Sequence, residues 1–195
     1  MKLNRLYAYS VVALAIAQVL LVLASWLFSA MMAEGVRSLL SDEGLRWFFG
    51  SFTALLATPV LVWLLLISMA LGCLWQSGLL STKQNGYRTH VAWRVVALTL
   101  IIYLSVVAAL TVVPHAILLS STGQLFPSPF SRAIVPVLSF GIILLSAAYG
   151  WTSGRFDSAE SVVHSLTFGL AKAAPLFVLY VMLMQFYESL RFVLL

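Results

Sequence analysis

From Ala8 to Met32 the sequence runs for 25 residues without a charged side chain, and further apolar stretches of this kind follow down the chain. At about 1.5 Å per helical residue, such a stretch covers the roughly 30 Å of a bilayer's hydrocarbon core with some tilt. Lipid offers no partner to backbone N–H and C=O groups, so each stretch is predicted to be helical. Composition points the same way. Of the 195 residues 62% are hydrophobic and 9% charged, against about 45–50% and about 25% in soluble proteins. With a mean hydropathy of +1.03, the chain lacks the polar groups to cover a water-exposed surface.

The predicted fold class is therefore an all-α integral membrane protein, with about five transmembrane helices plus one interfacial helix in a single membrane domain over residues 1–195. The spans fall at about 8–32, 54–75, 93–113, 132–151 and 165–193. Met1, Lys2 and Arg5 precede the first span. That span is longer than the 7 to 15 apolar residues of a secretory signal and no Ala-x-Ala follows it, so an uncleaved anchor is expected. Segment 34–49 is predicted as the interfacial helix. Ser41 is placed to cap it, Asp42 and Glu43 sit in its first turn, and Trp47, Phe48 and Phe49 lie at headgroup depth. Pro59 falls near the start of span two. Pro114 ends span three, and Gly123, Pro127 and Pro129 make residues 115–131 a loop. Asp157 and Glu160 resemble a capping box that starts the last helix.

Five crossings place the termini on opposite sides. With the N-terminus cytoplasmic, the inner segments hold Lys2, Arg5, Lys83, Arg88, Arg94 and Arg155, and the outer ones Arg37, Arg46, Arg132 and Arg191. Excess positive charge marks the cytoplasmic side. The expected location is the inner cell membrane, multi-pass, with the C-terminus outside. The net charge of +5 is thus a topology signal, and no nucleic-acid partner is expected.

One cysteine, Cys73, excludes a disulfide framework, and with three scattered histidines it makes no metal signature. No Ser-His-Asp set, paired carboxylates or phosphate-cradling glycine loop occurs. No catalytic residue, cofactor or metal site is predicted, and the chain is not expected to be an enzyme. The polar intramembrane candidates are His115, Lys172, Gln185 and Glu188, because polar groups in lipid are costly to keep. Each also has a plain structural role open to it. His115, after Pro114, can cap a helix at the interface. Lys172 can snorkel to the inner surface, and Glu188 can pair with Arg191 three residues on. Pro175 frees the carbonyl of Ala171. The partners expected are the lipid bilayer and either another membrane protein or a second copy, packed on small-residue faces at Ala13 with Ala17, Ala70, Ala108 with Ala109, and Ala171 to Ala174.

Several segments resemble, in order, those of the p-aminobenzoyl-glutamate transporter (AbgT) family: VRSLLSDEGLRWFF at Val36–Phe49, ALGCLWQSGLLS at Ala70–Ser81, VVP at Val112–Pro114, TGQLFPSPF at Thr122–Phe130, AYGWTSGRFDSAESVV at Ala148–Val163 and MQF at Met184–Phe186. The resemblance implies an AbgT-like scaffold portion. Family members are more than twice as long and carry two re-entrant hairpins that build the substrate and ion site. The first hairpin would lie between Leu80 and Tyr87, where six residues stand, and the second after span five. No position matches the hairpin motifs, so no site residue carries over. Pro59 sits near the family's Asn-Phe-Thr-Gly-Phe-Ala-Pro stretch, from which Thr53–Leu61 departs. Transport requires an interrupted helix at the midplane, and none is predicted. The expectation is a non-catalytic assembly or accessory subunit of a membrane complex. The alternative is a secondary transporter of p-aminobenzoyl-glutamate-like solutes, working as an oligomer or with a second chain.

Overall fold

The computed structural model describes residues 2–32, 35–81, 87–111 and 129–194. Among these residues the chain is all helix and turn: α1 Lys2–Ala30, α2 Asp42–Gly50, α3 Phe52–Leu56, α4 Pro59–Ser77, α5 Tyr87–Thr111, α6 Pro129–Ser153 and α7 Ala159–Leu194. Five of them, α1, α4, α5, α6 and α7, are long and apolar enough to cross a membrane. The chain is a multi-pass, all-α membrane protein.

The helices differ from the expected spans where local chemistry extends or breaks them. α1 starts at Lys2 rather than near residue 8, and α5 at Tyr87 rather than near 93, because a helix continues past the hydrocarbon boundary wherever its side chains allow. α6 starts at Pro129, three residues inside the loop expected over 115–131. Proline suits a first helical turn, where its missing N–H has no intrahelical role. The rest of that loop, 115–128, lies outside the described residues, as do Val112 to Pro114 at the expected end of span three. Span two is divided. α3 ends at Leu56 and α4 begins at Pro59, since proline donates no hydrogen bond and drives the preceding Thr58 out of the helical region. Pro175, deep inside α7, costs one backbone bond without ending the 36-residue helix.

The interfacial helix is shorter than segment 34–49. Gly35 turns at φ +79°, and Ser38 Oγ accepts from Leu40 N at 3.2 Å. Such local bonds compete with helix. Ser41 caps α2 as expected, accepting from Gly44 N at 3.1 Å. The start of α7 is a correction. Ser158 and Ser161, not Asp157 and Glu160, form the reciprocal cap, each backbone N–H donating to the other's Oγ at 3.3 Å. A serine hydroxyl both accepts and donates, so two serines suffice where a longer carboxylate was expected.

The chain forms two compact units, Met1–Val62 with Ala173–Leu195, and Trp63–Lys172. In the first, the stretch after α1 ties helices together. Ser25 Oγ on α1 accepts from Leu39 N at 3.2 Å, Arg37 N donates to Val193 O at 3.1 Å, and Trp47 stacks on Phe192 with centroids 4.5 Å apart. In the second, α5 and α6 run antiparallel. Trp93 meets Tyr149 edge-on at 5.9 Å, and farther along Tyr103 lies 6.4 Å from Phe140 and donates to Val137 O at 2.5 Å. Ala92, Val96 and Tyr149 form this unit's buried core, with Leu79 and Leu145 against them. α4 meets the first half of α7 at Gly72 and Gly169, backbone on backbone. Cys73 is buried beside them, its Sγ 3.9 Å from Ile143 O.

Candidate functional site

The polar groups of the first unit have to find partners within the protein, because lipid supplies none. The break at Ala57–Thr58 is the first such place. Tyr180 OH donates to Leu56 O at 3.1 Å. Its single proton is thereby committed, so in the close contact between Thr58 Oγ1 and Tyr180 OH the threonine is the donor. One tyrosine from α7 thus serves both the carbonyl ending α3 and the hydroxyl preceding α4. Irregular backbone at membrane depth survives when it is paired in this way.

A second polar group lies between α1 and α7. Gln18 Nε2 donates to Ser189 Oγ at 2.9 Å, while Gln18 Oε1 is buried without a partner. One turn back on the same face of α7, Gln185 is 7% exposed, and neither of its amide atoms finds a partner among the described residues. An unpaired buried amide costs about 1–3 kcal/mol. Replacement of Gln185 by leucine, of similar size and without polar atoms, is expected to raise the Tm of detergent-solubilised protein. At about 2–4 °C per kcal/mol, the gain is visible in a thermal melt. A lower Tm would show that the amide is paired.

The structure places the expected candidates apart. Lys172 is exposed on α7 and lies in the second unit, its Nζ 5.6 Å from the Phe168 ring centroid. Glu188 pairs with Arg191 at 4.0 Å, the local pairing open to it from spacing. Both line a cleft of about 300 Å³ with Arg37, Trp47 and Phe192. Among the described candidates, Gln185 alone is buried and unpaired. His115 lies outside the described residues. No group of three or more His, Cys, Asp or Glu among the described residues is placed to hold a metal ion. The chemistry gathered in the first unit is hydrogen bonding by amides and hydroxyls.

Tyr180, Thr58, Gln18 and Ser189 were not among the expected site residues. Two signals pointed to them: Pro59, which forces a break just before it, and Gln18, the one amide in the first uncharged stretch. Neither tells which helix supplies the partner.

Five apolar helices, one of them preceded by a break that a distant tyrosine helps to pair, define a polytopic membrane protein. No protein-family model and no curated protein matches the chain. Among solved structures it is similar to the crystal structure of the Alcanivorax borkumensis YdaH transporter, with a TM-score of 0.81 and 16% identity over 92% of this chain and 70% of that chain. YdaH is an AbgT-family transporter. At this identity the likeness shows the fold alone.

Proposed function

We propose that the chain is a non-catalytic membrane protein of AbgT-like fold, acting as an assembly or accessory subunit of a membrane complex. One observation carries this reading. α4 ends at Ser77 and α5 begins at Tyr87, leaving nine residues, 78–86, between them. A re-entrant hairpin needs two half-membrane helices, about 20 residues in all. The joint where the resembled family inserts its first hairpin cannot hold one. The ionisable residues of α7 add support: Lys172 is exposed and Glu188 is paired. Ala13, Ala108, Ala109, Ala171 and Ala174 are exposed small residues on which a partner or a second copy can pack, whereas Ala70 is buried within the second unit. The proposed orientation keeps the N-terminus cytoplasmic in the inner membrane.

Purified protein in liposomes, under a sodium or proton gradient, is expected to take up no more radiolabelled p-aminobenzoyl-glutamate than empty vesicles. Clear gradient-dependent uptake would overturn the proposal. Extraction in mild detergent is expected to yield a defined oligomer or complex, and a lone monomer at every concentration would count against it.

A second reading, transport of p-aminobenzoyl-glutamate-like solutes by an oligomer or with a second chain, is favoured by two features together. The helix interrupted at Ala57–Thr58 and the unpaired Gln185 both belong to the first unit, and interrupted helices mark transporter binding sites. If uptake is found, Gln185→Leu separates the readings, since a solute-binding amide loses uptake while the Tm holds or rises.

A further inference from the structure

Among the described residues, the cleft at the C-terminal end of α7 is lined by two arginines, Arg37 and Arg191, and one carboxylate, Glu188. Arg191 is 61% exposed, and its contact with Glu188, at 4.0 Å, is at the outer limit of an ion pair. Most of its five N–H donors therefore face the cleft or solvent. Arg37 is exposed, and its backbone N–H, rather than its side chain, holds Val193 O. The cleft's remaining wall is the Trp47–Phe192 stack. Planar guanidinium groups match the geometry of phosphate oxygens. An aromatic wall suits the glycerol and first acyl carbons of a lipid at the membrane interface.

We propose that this cleft binds the phosphodiester of an anionic phospholipid, with Arg37 and Arg191 as phosphate ligands and Trp47 with Phe192 as the apolar seat. A free phosphate would use the guanidinium groups and leave the aromatic wall without a role. A choline lipid brings its own cation to a cleft that already holds a surplus of them, so phosphatidylglycerol is favoured over phosphatidylcholine. This site is independent of whether the chain carries a solute or assists another protein.

The test uses the full chain, delipidated in detergent and titrated with short-chain phosphatidylglycerol or phosphatidylcholine, with native mass spectrometry reading occupancy. Phosphatidylglycerol is expected to bind more tightly, and less so as salt rises. Arg37→Gln and Arg191→Gln are each expected to weaken it about fivefold, with the lipid-free Tm unchanged in Arg37→Gln, whose side chain is exposed. Arg46→Gln removes an exposed cation of α2 that does not line the cleft, and should leave affinity as it is. Equal affinity for the two lipids overturns the proposal, as does an Arg46→Gln loss matching that of Arg37→Gln. Inorganic phosphate at tens of millimolar is expected to compete poorly; full displacement of the lipid would mark a simple anion site and equally overturn it.

Discussion

Gly169→Ala is expected to lower the Tm of the detergent-solubilised protein by about 6–12 °C. A Cβ at Gly169 would land on Ser68 O and within 2.9 Å of Gly72 Cα, and one at Gly72 would come within 2.5 Å of Gly169 Cα and 2.6 Å of Ser165 O. All of these atoms are backbone, so no rotamer change relieves the clash and the two helices have to separate. Overpacking costs up to about 3 kcal/mol where neighbours can shift; with backbone on both sides the upper end applies, and at about 2–4 °C per kcal/mol the stated fall follows. In lipid, helices gain little by hiding apolar surface from one another, so close backbone packing carries their association. Ser68 with Gly72, and Ser165 with Gly169, form the small-xxx-small pairs of this crossing, and both serine hydroxyls turn back to their own helices, to Leu65 O at 2.8 Å and Val162 O at 2.6 Å. Gly50→Ala is the control, as a Cβ there meets nothing within 4 Å. Equal melts for the two variants would refute the close crossing of α4 and α7.

Tyr180→Phe should cost about 1 kcal/mol, or about 2–4 °C in Tm. The ring and its packing stay while the hydroxyl goes, so Leu56 O loses its 3.1 Å donor and Thr58 Oγ1 loses its acceptor. Leu56 O keeps the Thr58 N–H, which donates to it at 2.8 Å, so the variant removes its second donor and not its only one. Thr58→Val removes one of the two bonds and should cost less. The double variant should cost less than the two single losses added together, because the residues share a bond. A Tyr180→Phe protein that melts with the wild type would show that the Thr58 N–H by itself serves this carbonyl.

Much of this was legible in the order of residues. Uncharged stretches marked the five long helices, and Ser41 with Asp42 and Glu43 marked the start of α2, because an N-cap satisfies its own neighbours and needs no distant partner. The spacing of Glu188 and Arg191 foretold their pairing for the same reason. The break at Ala57–Thr58 was half legible. Pro59 announced a disturbance near the start of span two, but whether proline opens a helix, bends it or divides it depends on what receives the freed carbonyl, and Pro175 is held inside a continuous helix. At the start of α7 the carboxylate spacing misled, since the cap is formed by Ser158 and Ser161.

By itself, the sequence determined that the chain lives in lipid, and about where it crosses, because a charge in hydrocarbon is costly wherever the rest of the molecule lies. Only the tertiary structure decided which polar groups meet: Gln18 with Ser189, 171 residues apart, and Tyr180 with Leu56, 124 apart. Those pairings depend on how each helix is rotated about its axis and slid along its neighbour. Apolar residues surround these helices on nearly every side, so periodicity names no inward face. Rotation and register are set instead by a few points of contact, such as Gly72 against Gly169, that no single segment contains.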